Sequence, residues 1–214
     1  MEYDVKLASQ YLADEEEMEK NFDAGLVAPI NIHNITHDDM KNGDGLRVVL
    51  WVAGCSHHCK GCHNPITWDP DGGIPFTKWE EAEFYDWLRK PWTQGATFSG
   101  GDPLHCANRK YVGQMMANIK KHYPTKDVWV YTGYTLMHDE KFGFYFKGSE
   151  DEFFYASLKY IDVLVDGKFE CETREQDIAE GKKVYWAGSS NQRIIDVKKS
   201  LEEGKIVERT MPVL

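Results

Sequence analysis

LRVVLWVAGCSHHCKGCHN, running from Leu46 to Asn64, is the stretch on which the fold turns. Its first eight residues, Leu46 to Ala53, form a near-continuous apolar run rich in valine, which suits a strand buried on both faces. Three cysteines follow at once: Cys55, Cys59 and Cys62 lie within eight residues of one another. A buried strand that runs straight into a loop of thiols matches α/β proteins, where ligands gather beyond the C-terminal ends of parallel strands.

Outward from this stretch, strands and helices alternate. Asn42-Gly43-Asp44-Gly45 is a turn before the strand, and Asp69 to Pro75, centred on Asp71-Gly72-Gly73, is turn chemistry after the loop. Thr77 and Glu80 form a capping-box pattern that opens a helix through WEEAEFYDWLRK. Phe84 and Leu88 share one of its faces, and Pro91 marks its end. Gly95 to Ser99 reads as a short strand entering Gly100-Gly101-Asp102-Pro103. Residues 109–122 place Tyr111 and Met115, then Val112, Met116 and Ile119, at helical spacing, and the methionine pair reads as core packing.

Val128 to Thr132 is a second apolar strand. Glu150 to Tyr160 reads as helix, Ile161 to Val165 as strand, and DVKKSLEEGK as a helix terminated at Gly204. The expectation is a single-domain α/β fold with a mostly parallel sheet, its right-handed crossovers bringing the loops at 54–64 and 99–103 to one rim. Residues 1–29, with Asp14-Glu15-Glu16-Glu17, form a separate acidic arm, and residues 30–214 form the domain.

The 214 residues carry 25 basic and 35 acidic side chains, a net charge of −10, and no Lys/Arg cluster stands out. That argues against gripping nucleic-acid backbone. No run approaches the ~18 unbroken apolar residues of a membrane span. The N-terminus lacks the basic start and apolar middle of a secretory signal, so a cytoplasmic protein is expected.

Five cysteines is an odd number, and a tight triplet is not the spread of pairs that a disulfide framework needs. Cysteine thiolates hold iron–sulfur clusters, and a cube held by three cysteines leaves one iron open to a ligand. Gly54 and Gly61 relax the backbone where such a loop must bend. Tetrahedral zinc is the alternative, with His57, His58 or His63 completing a Cys3His set. The triplet has no second half at zinc-finger spacing, and His57 and His58 read as surface residues of the loop. Cys106 and Cys171 read as buried small side chains.

The C-x3-C-x2-C spacing of Cys55, Cys59 and Cys62 resembles the signature of the radical S-adenosylmethionine family. The ordered blocks WVAGCSHHCKGCHNPITW, SGGDPLH, VWVYTGYT, IDVLVDGKF and GSSNQRIIDV resemble, within it, the glycyl-radical enzyme activases that serve anaerobic ribonucleoside-triphosphate reductase. The likeness runs from about Asn42 to Val207. Three features depart from it: a long arm before residue 30, Asp44 where proline is usual, and an insert around Lys141 to Asp151.

The resemblance implies an incomplete βα barrel and a [4Fe–4S] cluster ligated by Cys55, Cys59 and Cys62. It implies that S-adenosylmethionine meets Gly61, Cys62 and His63 on its adenine side, and Ser99, Gly100, Gly101 and Asp102 at its methionine ammonium. Thr132 and Asp166, each at a strand end, fall where further cofactor or partner contacts are expected, although turn geometry explains them equally well. A glycyl-radical subunit of the reductase is the implied partner and a flavodoxin-like carrier the implied electron donor. Another small radical enzyme, such as a pyruvate formate-lyase activase, is the nearest alternative within the family. A non-catalytic zinc or cluster module is the alternative outside it. No acid–base pair is required by this chemistry.

Overall fold

The strand that precedes the thiols, β2 (Leu46–Val52), is the hinge of the architecture: it pairs antiparallel on one side and parallel on the other. The computed structural model describes residues 30–140, 143–147 and 157–209. The acidic arm and most of the segment read as helix over 150–160 lie outside the described residues, as does part of the insert near 141–151.

Strand β1 (Asn31–Asp39) turns back through the Asn42 to Gly45 loop and pairs antiparallel with β2, because so short a connection cannot make a crossover. The two-residue strand β3 (Ile74–Pro75) adds to its outer edge. On the other side β4 (Thr93–Gly100), β5 (Asp127–Tyr131) and β8 (Val163–Asp166) run parallel to β2, and β9 (Arg193–Asp196) closes the far edge antiparallel. The order is β3-β1-β2-β4-β5-β8-β9. Strands β6 (Leu136–Asp139) and β7 (Gly143–Phe146) form a separate hairpin. The molecule is thus a mixed α/β domain with a parallel centre and antiparallel flanks.

Helix α1 (Lys78–Leu88) opens with the expected capping box: the Thr77 hydroxyl accepts from the backbone and Glu80 reaches back to the Thr77 N–H. Two orphan helix donors are satisfied this way. Helix α2 (Arg109–His122) buries Tyr111, Val112, Met115, Met116 and Ile119, the residues its spacing singled out. Helix α3 (Cys171–Ala179) was not legible, since Asp177 is its only buried residue and it carries no apolar stripe. Helix α4 (Val197–Glu203) ends at Gly204 with φ +63°, the left-handed cap the sequence signalled.

Alternation along the strands sends side chains to two faces. Val48, Leu50, Val52, Ala96, Phe98, Val128, Val130, Leu164 and Ile195 share one core with Phe84 and Leu88 of α1 and the apolar face of α2. The opposite face presents Val49, Thr97, Trp129 and Val163 across one rung, with Arg47, Gly95 and Asp127 in another.

Arg47 is fully buried in a strand read as a near-continuous apolar run. Its Nη2 lies 2.6 Å from Asp127 Oδ1, reached across Gly95, where a Cβ would sit 2.1 Å from the same carboxylate oxygen. Nε donates to Thr97 Oγ1, Nη1 to the Asp44 carbonyl and Nη2 to the Ala96 carbonyl. Burial pulls its pKa down while Asp127 pushes it back up, as a desolvated but paired cation requires. This plug closes the lower part of the open face. Beside it Trp129, Val163, Val165 and Ile194 pack with Tyr131, Trp186 and Ala187.

Candidate functional site: three thiols facing a glycine-rich strand end

At the C-terminal ends of β2 and β4 the two expected loops meet. Gly101 N–H donates to the Val52 carbonyl at 2.7 Å and Asp102 N–H to the Gly54 carbonyl at 2.8 Å. Asn108 Nδ2 adds bonds to the carbonyls of Ala53 and Asp102. Backbones this close leave no room for side chains. A Cβ on Gly101 would lie 2.5 Å from Gly54 O, and one on Gly100, at φ +104°, 2.7 Å from Val52 N. The double glycine therefore packs strand end against loop root, besides lining the space beyond.

That space is a cavity of about 610 Å³. Cys55, Cys59, Cys62 and His63 line it from the loop, Ser99, Gly100, Gly101 and Asp102 from β4, and Thr132 and Gly133 from the end of β5. Trp68, Phe169, Trp186 and Gln192 complete much of the wall. The sequence thus identified both strand ends, while Phe169 and Trp186 were missed as pocket walls. Phe169 lay within a block quoted for its resemblance, but nothing in its spacing pointed inward.

All three cysteines are half-buried free thiols. The Asn64 N–H donates to Cys62 Sγ at 3.4 Å. Burial pushes the Cys55 thiol up to about 11, with Asp102, Cys59 and Cys62 adding to the rise and the His57 N–H opposing it. Burial likewise raises Cys59. Half-buried thiols that raise one another's pKa are suited to a cationic metal group, which would neutralise the charge they resist.

Among the described residues no three His, Cys, Asp or Glu side chains converge as they would on a single ion. Tetrahedral zinc draws every ligand to about 2.0–2.3 Å of one point, whereas each cysteine of an iron–sulfur cube meets its own iron. The donor set fits the cube. Trp68 and Tyr131 line the cavity, and their Nε1 and hydroxyl are buried without a hydrogen-bond partner among the described residues.

Gly54 and Gly61 have φ of +100° and +70°, as the tight loop required. A Cβ on Gly61 would reach Cys171 Sγ at 2.9 Å, so the glycine also admits the start of α3. His63 is exposed and its ring lies 4.9 Å from Phe169, while Gly61 itself is not on the cavity wall.

Several side chains depart from their sequence reading. His57 is no surface residue: its side chain is only 9% exposed, and Nε2 sits 2.7 Å from Asp102 Oδ2. Cys106 is exposed and Cys171 only half-buried, so neither is a buried core side chain, because α3 is solvent-facing and Cys106 sits on the turn before α2. Asp166 lines a neighbouring cavity rather than this one. Its carboxylate is engaged by Arg193 at 2.5 Å and by the Leu136 N–H, which ties the hairpin to the sheet edge.

Residues 41–195 match the family model described as a 4Fe-4S single cluster domain. The chain is 38% identical over 165 residues to the anaerobic ribonucleoside-triphosphate reductase-activating protein of Enterobacteria phage T4, covering 77% of this chain and 93% of the relative. The protein of that name from Pasteurella multocida is 40% identical, over 73% of this chain and 90% of its own length. The one from Escherichia coli K12 is 38% identical, over 76% and 96%. With its thiol loop, its glycine-rich strand end and these relatives in agreement, the chain belongs to the family of anaerobic ribonucleoside-triphosphate reductase-activating proteins, built on a 4Fe-4S single cluster domain.

Proposed function

We propose that the chain activates an anaerobic ribonucleoside-triphosphate reductase by radical chemistry on S-adenosylmethionine. The carrying observation is the juxtaposition of Cys55, Cys59 and Cys62 with Ser99 to Asp102 around one cavity, in a chain whose relatives are named for activating that reductase. Cys55, Cys59 and Cys62 would hold a [4Fe–4S] cluster, which would supply one electron, drawn from a flavodoxin-like donor, for reductive cleavage of S-adenosylmethionine at its C5′–S bond with release of methionine, and so the means to remove a Cα hydrogen from a glycine of the reductase.

The chain's own residues bind, orient and shield. Cys55, Cys59 and Cys62 hold the cluster, with the Asn64 N–H on the Cys62 sulfur. Gly61, Cys62 and His63 serve the adenine side, where the His63 and Phe169 rings, 4.9 Å apart, offer flat ring surface. Ser99, Gly100 and Gly101 at the strand end serve the ammonium, beside Thr132; all four line the cavity. A volume of about 610 Å³ lies in the range for small-molecule sites. The open sheet is read as the arc of an incomplete barrel spanning residues 30–214, with 1–29 as an appended arm, and the protein as working in the cytoplasm. No helix among the described residues is long and apolar enough to cross a membrane.

Anaerobic reconstitution with iron and sulfide tests this reading. The expected product is a brown protein with about four irons per chain that forms 5′-deoxyadenosine from S-adenosylmethionine only when reductant is present. A colourless, zinc-loaded protein inert in that assay would contradict it.

A further inference from the structure

The Asp102 carboxylate stands at the cavity wall, yet it is 1% exposed and its acceptor positions are filled from within the chain. Oδ1 accepts from the Leu104 N–H at 2.8 Å and the Thr132 hydroxyl at 3.0 Å. Oδ2 accepts from the Gly133 N–H at 2.9 Å, shares the single Thr132 hydroxyl proton with Oδ1 at 2.9 Å, and has His57 Nε2 2.7 Å away. A carboxylate offers about four lone-pair sites, and four groups of the chain, Leu104 N–H, Gly133 N–H, the Thr132 hydroxyl and His57 Nε2, take them. Nothing is left over for an ammonium group.

His57 is held as tightly from the other side. Its ring meets Tyr134 edge-on at 4.7 Å, and a Cβ on Gly133 would lie 2.4 Å from the ring, so only glycine admits it. It stands between Cys55 and Cys59 on the same loop. The residue therefore ties the loop that carries those two cysteines to an acid anchored at the ends of β4 and β5.

We propose that Asp102 acts on the cluster loop through His57, as a positioning pair that fixes the backbone between Cys55 and Cys59, rather than by receiving the cofactor's ammonium. This rests on the reading of Cys55, Cys59 and Cys62 as cluster ligands. Asp102 clamps the ends of β4 and β5 together, and His57 carries that rigidity into a loop that has little core of its own. Hydrogen bonds to the sulfurs tune a cluster's potential and hold its ligands, so loosening the pair alters the cluster even where the fold is intact.

The test is a double-mutant cycle on the reconstituted full chain with His57→Ala, Asp102→Ala and the double variant, and with His57→Gln as the conservative replacement. Three readouts are taken: anaerobic iron loss to a chelator, the EPR spectrum of the reduced cluster, and equilibrium binding of S-adenosylmethionine. Apoprotein urea midpoints show whether each variant folds.

Each single variant is expected to speed iron loss about tenfold or more, the scale of one lost hydrogen bond to a carboxylate. The double variant should be no faster than the worse single one, as for residues acting as a unit. Both singles should shift the reduced spectrum in the same way, and His57→Gln, whose amide can still donate to Asp102, should restore much of it. Multiplicative effects on iron loss would overturn the pair. So would an Asp102→Ala chain that loses cofactor affinity beside a His57→Ala chain with unchanged spectrum and affinity. A wild-type chain that takes up no iron would instead overturn the cluster reading on which the pair depends.

Discussion

Along β2, neighbouring residues enter two different worlds. Val48, Leu50 and Val52 pass into the helix-covered core, whereas Arg47, Val49 and Trp51 turn to the face that carries the cavity. The covered face is continuous hydrocarbon from β2 across to β9, closed by α1, α2 and α4. The open face holds a smaller apolar group around Trp129, Val163, Val165 and Ile194, flanked by a buried Arg47–Asp127 pair below and the thiol loop above. One face supplies the stability that lets the other keep unsatisfied polar atoms and crowded thiols. Substitutions can separate these duties.

The sharpest separation is expected at the ligands. Cys59→Ala should remove iron binding and 5′-deoxyadenosine formation altogether, while apoprotein stability in urea moves by less than about 0.5 kcal/mol, as for loop sites outside the core. A large loss of apoprotein stability would mean that the loop is part of the folding core. Phe98→Ala, on the covered face between α1 and the sheet, should cost about 3–5 kcal/mol in the same measurement.

Arg47→Met probes whether the open face has a structural floor of its own. It strands Asp127 beside Thr97 and should cost about 3 kcal/mol, the low end for a broken buried pair, because the Asp127 side chain is 27% exposed. Adding Asp127→Leu should recover part of that loss, since a well-packed apolar pair can replace a buried ionic one. Full additivity of the two changes would show that the pair is not coupled. The smallest effect belongs to Thr77→Ala, which removes the α1 cap for about 1 kcal/mol and leaves iron content unchanged.

The covered face was the legible one. Helical spacing named the buried residues of α2, the capping box located α1, and the valine-rich run located β2, because apolar periodicity records burial directly. On the open face the cysteine spacing and the double glycine were visible as local motifs, and both line the cavity. What connects them was not. The His57–Asp102 contact joins residues 45 apart, and the Arg47–Asp127 pair joins residues 80 apart. Pairings at that range are set by sheet register, which no local pattern encodes.

Arg47 did leave a trace, as a lone cation in an apolar strand that must find an acid. Strand β1 left little: only Ile32 is buried in it, and its remaining residues alternate weakly. Helix α3 left none, because a solvated helix with one buried aspartate has no stripe to read.

The most direct measurement is EPR on the anaerobically reconstituted chain mixed with reductant, S-adenosylmethionine and an anaerobic ribonucleoside-triphosphate reductase. The expected result is an organic radical signal on the reductase, split by one Cα hydrogen, that collapses when the reductase is grown with α-deuterated glycine. It should vanish with Cys55→Ala, Cys59→Ala or Cys62→Ala. A brown, fully loaded chain that cleaves the cofactor yet leaves the reductase without that signal would contradict the assignment.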